Sequence, residues 1–234
     1  MATESVQAKT AWRLAKAQHW AVSDQQLRDL GFSEGAIRHR LGTGRLHRVW
    51  PGVYAVARRD LTPLGWWMAA VLTCGEGAAL SHESAAQLWR IRPRRAHRIE
   101  VTVPHARNPR RQGIRVHRRD LDPLEVTTRT GIRATIPLIA ILDLAPRLER
   151  NELEAVIGDA DKHGVMDPER LRESLPPSRR GPAERGPPPR SRARRGGPDH
   201  PPLQPCPDPL RPQHVETTLA AVAKRVLTAL RALP

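Results

Sequence analysis

The sequence predicts an α+β protein that begins with a winged helix-turn-helix, continues as a mixed α/β domain and ends in a disordered tail. Three observations predict this order. Two capped short helices and a hairpin occupy residues 21–56, strand-like and helix-like segments alternate up to residue 175, and a Pro- and Arg-rich composition follows. The predicted ranges are 1–58 for the helix-turn-helix domain, 59–175 for the α/β domain, 176–214 for a disordered basic linker and 215–234 for an amphipathic tail helix.

Residues 21–56 carry the local signals of two helices and a hairpin. Ser23 is an N-cap before acidic and amide side chains, and Gly31 ends the first helix. Ser33 caps a second helix, whose apolar stripe through Ile37 faces inward. The segment RLHRVW then extends, a Pro-Gly pair makes a tight turn, and VYAV returns. A helix pair followed by such a hairpin is typical of a winged helix-turn-helix.

The second helix predicts a contact with double-stranded DNA, because a short helix fits the major groove and arginine binds guanine. Arg38 and His39 are the candidate base readers. The candidate phosphate contacts are the side chains of Arg45, His47 and Arg48 and the backbone near Ser33 and Gly35. The same arrangement also fits a protein-binding module, and that alternative stays open.

The charge of the chain favours a polyanionic partner. The 39 Lys and Arg exceed the 24 Asp and Glu, which gives a net charge of +15. Cys74 and Cys206 lie far apart without neighbouring thiols, so they indicate neither a disulfide framework nor a zinc site. Since the sequence has no long apolar run and no signal-peptide pattern, it predicts a cytoplasmic protein without a membrane partner.

From residue 59 the pattern becomes mixed α/β. Thr62 caps a helix that carries an inward face through Trp66 and ends at Gly75. A short strand over 78–80 leads to Ser81, the N-cap of the next helix. The segments IEVTVP and GIRVHR alternate as strands, and we expect them to pair as a hairpin.

The connection of this predicted hairpin is strongly basic. Residues 107–118 include five arginines. Four of them are candidate contacts to DNA phosphates, namely Arg107, Arg110, Arg111 and Arg115. A solvated turn explains the same composition, and the sequence does not decide between the two interpretations.

The remainder of the α/β domain predicts one more strand and three helices. The strand covers 132–135. Pro137 begins a strongly apolar helix, which we expect to be buried on most sides. Asp143 lies in this helix, and a buried carboxylate needs a partner. An amphipathic helix follows in ELEAVIGDADKHG, and Asp167 caps a last short helix that ends near residue 175.

The chain after residue 175 has a different composition. Residues 176–214 are dominated by Pro, Arg and Gly with few large apolar side chains, so they cannot bury enough surface to fold, and we expect them to be disordered. Apolar residues recur with helical spacing over 215–234, which predicts a docking helix. Out-of-frame reading of a GC-rich gene yields a similar composition, so a frameshift is an alternative to a physiological tail.

The sequence predicts no enzyme, no cofactor and no metal site. The segment SHESAA, which includes His82 and Glu83, has neither a nucleophile elbow nor the spacing of a zinc protease. His97, His105 and His117 flank the basic connection and are candidates for a metal, but polar surface is the better interpretation of histidines at strand ends.

Several blocks, in order from Val22 to about Leu175, resemble the AbiEi family of antitoxins of type IV toxin-antitoxin systems in its actinobacterial form. They are GRLHRVWPGVYAV, DLTPLGWW, GAALSHESAAQLW, RIEVTVP, GIRVHR and LIAILDLA. The resemblance implies that the N-terminal domain binds operator repeats and represses its own operon. It also implies that the α/β domain counters a nucleotidyltransferase-like toxin without forming a stable complex with it.

The chain departs from this family at its C-terminus. Many actinobacterial relatives carry an endonuclease-like domain with an (Asp/Glu)-x-Lys metal motif, whereas none of the four lysines here has an acidic residue two positions before it. One alternative is therefore a truncated remnant of a nuclease-fused protein that retains only nucleic-acid binding. An RNA-binding module is a third possibility, weakly supported because the chain has one Tyr and one Phe for base stacking.

Overall fold

The computed structural model describes residues 2–94 and 98–165. Within these residues the chain forms seven α-helices and two β-sheets, which confirms the predicted α+β class. The predicted helix at 167–175, the linker at 176–214 and the tail helix at 215–234 lie outside the described residues.

The N-terminal elements form a helical layer on a small antiparallel sheet. In chain order they are α1 (Ala2–Ala17), β1 (Ala21–Ser23), α2 (Asp24–Asp29), α3 (Glu34–Gly42), β2 (Leu46–Trp50) and β3 (Val53–Val56). The strand order is β1-β3-β2. The two helices and the hairpin predicted over 21–56 are therefore present, whereas β1 was not among the predicted elements.

The predicted caps hold the helix pair in place. The Ser23 hydroxyl accepts a hydrogen bond from the Gln26 amide (3.1 Å), and the Gln26 side chain accepts one from the Ser23 amide (2.9 Å), which completes a capping box. The Ser33 hydroxyl accepts a hydrogen bond from the Ala36 amide (3.2 Å) at the start of α3. Between the helices, Gly31 has a φ of +87°, a conformation that favours glycine.

The second group of elements builds a five-stranded mixed sheet. These elements are α4 (Pro63–Cys74), β4 (Ala79–Leu80), α5 (His82–Leu88), β5 (Ile99–Val103), β6 (Ile114–Arg118), β7 (Val126–Arg129), β8 (Ile132–Thr135), α6 (Pro137–Leu144) and α7 (Arg150–Lys162). The strand order is β6-β5-β4-β8-β7. A hairpin that the sequence did not predict joins β7 to β8 through Thr130 and Gly131. Both residues have positive φ, as the two central residues of a type I′ turn do.

The predicted hairpin of β5 and β6 is wrong, because these strands are parallel. Their register runs from Ile99 opposite Ile114 to Val103 opposite Arg118. Alternation predicts that a segment is a strand and which side chains share a face, but it carries no information on direction. The ten connecting residues, 104–113, span up to about 33 Å when extended, enough to return along a strand of about 17 Å.

Helix α4 packs between the two sheets. Its buried residues, among them Met68 and Ala70, share one core with Val53 and Ala55 of the first sheet and with side chains of the second. Apolar packing is therefore continuous across the predicted boundary between residues 58 and 59. The prediction that Trp66 faces inward is wrong, since Trp66 is 38% exposed. Its neighbour Trp67 is the buried tryptophan. Successive residues of a helix point in different directions, and the buried face of α4 passes through Trp67.

Helices α5, α6 and α7 form a second apolar cluster with side chains such as Ile91, Ile141 and Val156. This confirms that the apolar helix beginning at Pro137 is buried, since six of its residues are buried. Among the described residues, no helix combines the length and the apolar character that crossing a bilayer requires.

Candidate functional site

The solvent-facing stripe of α3 presents the predicted base readers. Gly35, Arg38 and His39 are exposed, whereas Ile37 is 3% exposed and faces the N-terminal core. Positions three and four apart on a helix lie on one face, so these three residues form a single outward surface. A Cβ added at Gly35 would meet only the Ser33 hydroxyl, 3.9 Å away, which leaves open space over the first turn.

Arg38 makes one ion pair, and that pair is itself at the surface. Its Nη2 lies 2.7 Å from Glu34 Oε1, and the two side chains are 75% and 68% exposed. An exposed pair at this spacing contributes about 0.3–0.5 kcal/mol and is screened by salt. The guanidinium is therefore held near the start of α3 but is readily available to a stronger acceptor.

The hairpin of β2 and β3 places a second set of predicted contacts beside the helix pair. Arg45 and Arg48 are exposed and His47 is half-buried. Pro51 and Gly52 connect the strands, and Gly52 has a φ of +75°, which suits the third position of a type II turn. Arg45 and Arg48 are therefore accessible to a partner, and His47 is accessible in part.

Asp24 ties the start of α2 to this hairpin. Arg28 Nε donates a hydrogen bond to Asp24 Oδ2 (2.6 Å), and the Tyr54 hydroxyl donates one to Oδ1 (3.1 Å). The Arg28 hydrogen bond, aided by Tyr54 and Arg48 and opposed by partial burial, holds the pKa of Asp24 below its ordinary value. The Asp24 carboxylate thus links α2 to β3 through Arg28 and Tyr54.

The basic connection of residues 104–113 lies against the turn of the hairpin. The Trp50 indole donates a hydrogen bond to the Gln112 carbonyl (3.2 Å). Thr73 at the end of α4 donates to the Pro51 carbonyl (3.3 Å) and accepts from Arg111 Nε (3.0 Å). The connection and the hairpin turn are therefore neighbours on one surface.

The four arginines predicted as contacts in this region have different surroundings. Arg107 and Arg110 are exposed. Arg111 is half-buried and bound to Thr73, so it anchors the connection. Arg115 lies on β6, where its Nη1 is 3.5 Å from Glu100 Oε1. The structure thus brings Arg107, Arg110 and Arg111 together on the connection and places Arg115 in a separate cluster.

That cluster is centred on Glu100, a buried carboxylate on β5. Around it lie Arg147, whose Nη1 donates a hydrogen bond of 2.7 Å, and His117 on β6, whose Nε2 is 3.4 Å from Glu100 Oε1. The His117 ring stacks on that of His82, with centroids 3.7 Å apart. We call Glu100, His82 and His117 with Arg115 and Arg147 the Glu100 cluster.

Burial governs the protonation of this cluster. Burial alone raises the pKa of Glu100, but the adjoining His117 and Arg147 outweigh it and bring the pKa well below its ordinary value. Burial, reinforced by the adjacent His117, lowers the pKa of His82 to about 3. The cluster therefore combines an ionised carboxylate with a neutral imidazole at neutral pH.

The sequence predicted two features near the Glu100 cluster, but not the cluster itself. Asp143 was expected to need a partner, and it lies 3.7 Å from Arg119 Nη2 and 3.7 Å from His82 Nδ1. Ser81 is the N-cap residue of α5, as predicted, but its hydroxyl lies 3.0 Å from His82 Nδ1 and binds no amide of the first turn. The Glu83 amide in that turn donates instead to Glu100 Oε2 (3.0 Å).

The three histidines that the sequence offered as metal candidates, His97, His105 and His117, are not seen to meet around the basic connection in the described residues. His105 is exposed, His97 lies outside the described residues, and His117 meets His82 instead. Glu100 gave one usable signal, since a carboxylate in the apolar strand IEVTV demands a partner. Its actual partners come from distant parts of the chain, which local patterns do not reveal.

Comparison with known protein families and with curated proteins finds no match for this chain.

Proposed function

We propose that this protein is a DNA-binding antitoxin that represses its own operon, with residues 1–58 acting as a winged helix-turn-helix. The observation that carries the proposal is the exposed stripe of Arg38 and His39 on a capped helix beside an antiparallel hairpin. In this function α3 enters the major groove, and the hairpin of β2 and β3 is the wing.

The positions of the side chains divide them by role. Arg38 and His39 face away from the core and read base edges, with Arg38 exchanging its surface pair with Glu34 for a guanine. Arg48 and Arg45 on the wing bind phosphates, as His47 does with less reach. Ser33 holds the start of α3, and Gly35 leaves room for the backbone to approach DNA.

The basic connection extends this interface. It is hydrogen-bonded to the wing through Trp50 and Gln112, so Arg107 and Arg110 adjoin the wing on the same surface. Together with the net charge of +15, these exposed arginines favour a polyanion as the partner. Each bound phosphate adds salt dependence to the affinity.

The antitoxin part of the proposal rests on the resemblance of the sequence blocks to AbiEi antitoxins. In this function residues 59–175 counter a nucleotidyltransferase-like toxin without a stable complex, and the protein itself catalyses no reaction. The blocks in question build α4, α5, α6 and the buried strands, and so contribute mainly to packing.

A footprint of the purified full-length protein on its own promoter tests the DNA-binding half. We expect protection of a repeated or symmetric site that is lost with Arg38→Ala. Lys162→Ala is the matched control, since it removes one positive charge from α7, which packs in the separate cluster with α5 and α6. Equal protection by the Arg38→Ala protein, or no protection by the unaltered protein, would contradict the proposal.

A further inference from the structure

The Glu100 cluster contains a set of side chains that belongs to no part of the proposed DNA interface. His82 opens α5, Glu100 lies on β5 and His117 lies on β6, and one ligand atom from each falls within 4.8 Å of the other two. We propose that these three side chains bind a divalent transition metal of the zinc class. This inference is independent of the DNA-binding function.

The spacing of the ligand atoms is close to what zinc requires. A tetrahedral zinc ion with bonds of about 2.1 Å separates its ligand atoms by about 3.4 Å. His117 Nε2 and Glu100 Oε1 are 3.4 Å apart. Since the full set lies within 4.8 Å, closing around an ion requires the ligand atoms to shift by about 1 Å. The two imidazoles must also turn out of their stacked arrangement, because the lone pair that binds a metal lies in the plane of the ring.

His117 supports a ligand role through a poorly satisfied nitrogen. Its Nε2 is buried and lies 3.4 Å from Glu100 Oε1, but the geometry of this contact does not make a hydrogen bond. A buried polar atom left in this condition is costly unless a partner outside the protein chain satisfies it. A metal ion bound by this nitrogen and by the adjacent carboxylate removes that cost.

The surroundings of His82 orient its ring. Its Nδ1 lies 3.0 Å from the Ser81 hydroxyl and 3.7 Å from Asp143 Oδ2. A carboxylate beside the second ring nitrogen is the usual partner of a metal-bound histidine. His82 also has a φ of +49°, a conformation in which non-glycine residues are uncommon and which tends to occur at functional sites.

The two arginines of the cluster approach Glu100 from the solvent side. Arg147 and Arg115 contact Glu100 Oε1 with side chains that are 37% and 54% exposed, whereas Glu100 is 4% exposed. Binding of an ion to this oxygen therefore displaces both guanidinium groups toward solvent and breaks the 2.7 Å hydrogen bond from Arg147. A site of two imidazoles and one carboxylate favours zinc over magnesium or calcium, which prefer oxygen ligands, and it leaves a fourth position open.

The proposal is tested by titrating metal-free full-length protein with Zn²⁺ by calorimetry and with Co²⁺ by visible absorption. We expect one ion per chain, and an affinity at least about tenfold lower for His117→Ala and for Glu100→Gln. His105→Ala is the matched control, because His105 is exposed and lies outside the cluster. No one-equivalent binding, or the same loss in the control as in His117→Ala, would overturn the proposal.

A measurement on the unaltered protein keeps the test decisive if the variants fold poorly. Diethyl pyrocarbonate modifies accessible histidines, and the sites are located by mass spectrometry. We expect Zn²⁺ to slow the modification of His82 and His117 while the exposed His39 and His105 react as before. Equal protection of all four histidines would identify unspecific surface binding. Protection of none would show that these imidazoles bind no ion. Either result would reject the site.

Discussion

Arg38 is the residue on which the proposed DNA interface depends most. Its side chain is 75% exposed on α3. Replacing it with alanine would remove the proposed base contact, so we expect a loss of about 1–3 kcal/mol on the preferred site and a weaker preference for that site. Fluorescence anisotropy with the preferred duplex and a scrambled duplex measures both quantities. Unchanged affinity and unchanged preference would show that α3 is not the recognition helix.

Arg48 provides the contrast to Arg38. It lies exposed on β2, the strand of the proposed wing, where a phosphate is the expected partner. Arg48→Ala should therefore weaken binding to both duplexes equally and reduce the salt dependence of log Kd by about one unit of slope. Glu34→Gln is a third variant for comparison. It breaks the ion pair of Arg38 without removing Arg38, so it should leave the preference for the site intact.

At the scale of elements, the attachment of α2 to β3 should depend on pH. Because Arg28 holds the pKa of Asp24 below its ordinary value of 3.8, the ionised carboxylate stabilises the folded state at pH values above about 4. That contribution is lost as the pH falls through the lowered pKa of the folded state.

Urea unfolding of the unaltered protein and of Asp24→Asn measures this effect. We expect the unaltered protein to have the larger free energy of unfolding at pH 7, with the difference shrinking below pH 4. Tyr54→Phe should lose part of the same stability at pH 7 because its hydroxyl donates to Asp24. A difference independent of pH would indicate that the charge of Asp24 is not involved.

At the scale of the whole molecule, α4 should couple the two sheets in unfolding. Met68 is 3% exposed in the core that α4 shares with both sheets. Met68→Ala should cost about 2–5 kcal/mol, and amide hydrogen exchange should accelerate in β3 and β5 together. Val6→Ala, at a residue that is 63% exposed, should change stability by less than about 0.5 kcal/mol. Faster exchange in β5 alone would mean that the sheets unfold separately.

The proposed antitoxin activity also belongs to this scale, because it involves residues 59–175 independently of DNA binding. With the neighbouring toxin gene under a separate inducible promoter, we expect the Arg38→Ala, Arg48→Ala double variant to lose repression of the native operon yet still restore growth. Growth rates and a promoter reporter give the two readings. Loss of both activities together would show that protection acts through DNA binding.

Many local features follow from the sequence alone. The N-caps Ser23 and Ser33 determine where α2 and α3 begin, and Gly31 makes the turn that follows α2. A cap and a positive φ involve only a few neighbouring residues, so a local pattern is enough to predict them. Alternating apolar residues likewise predict β5, β6 and β8 as strands. The exposure of Arg38 opposite the buried Ile37 follows from helical periodicity.

Only the tertiary structure decided how these elements meet. The parallel direction of β5 and β6 depends on the path of the connecting residues 104–113. Two hydrogen bonds to distant parts of the chain hold that path, one from Arg111 to Thr73 and one from Trp50 to the Gln112 carbonyl. The meeting of His82, Glu100 and His117 depends on that direction, because parallel pairing places Thr102 opposite His117 and so sets His117 on the same face as Glu100. Contacts between residues far apart in sequence depend on the packing of the whole chain, which no local pattern specifies.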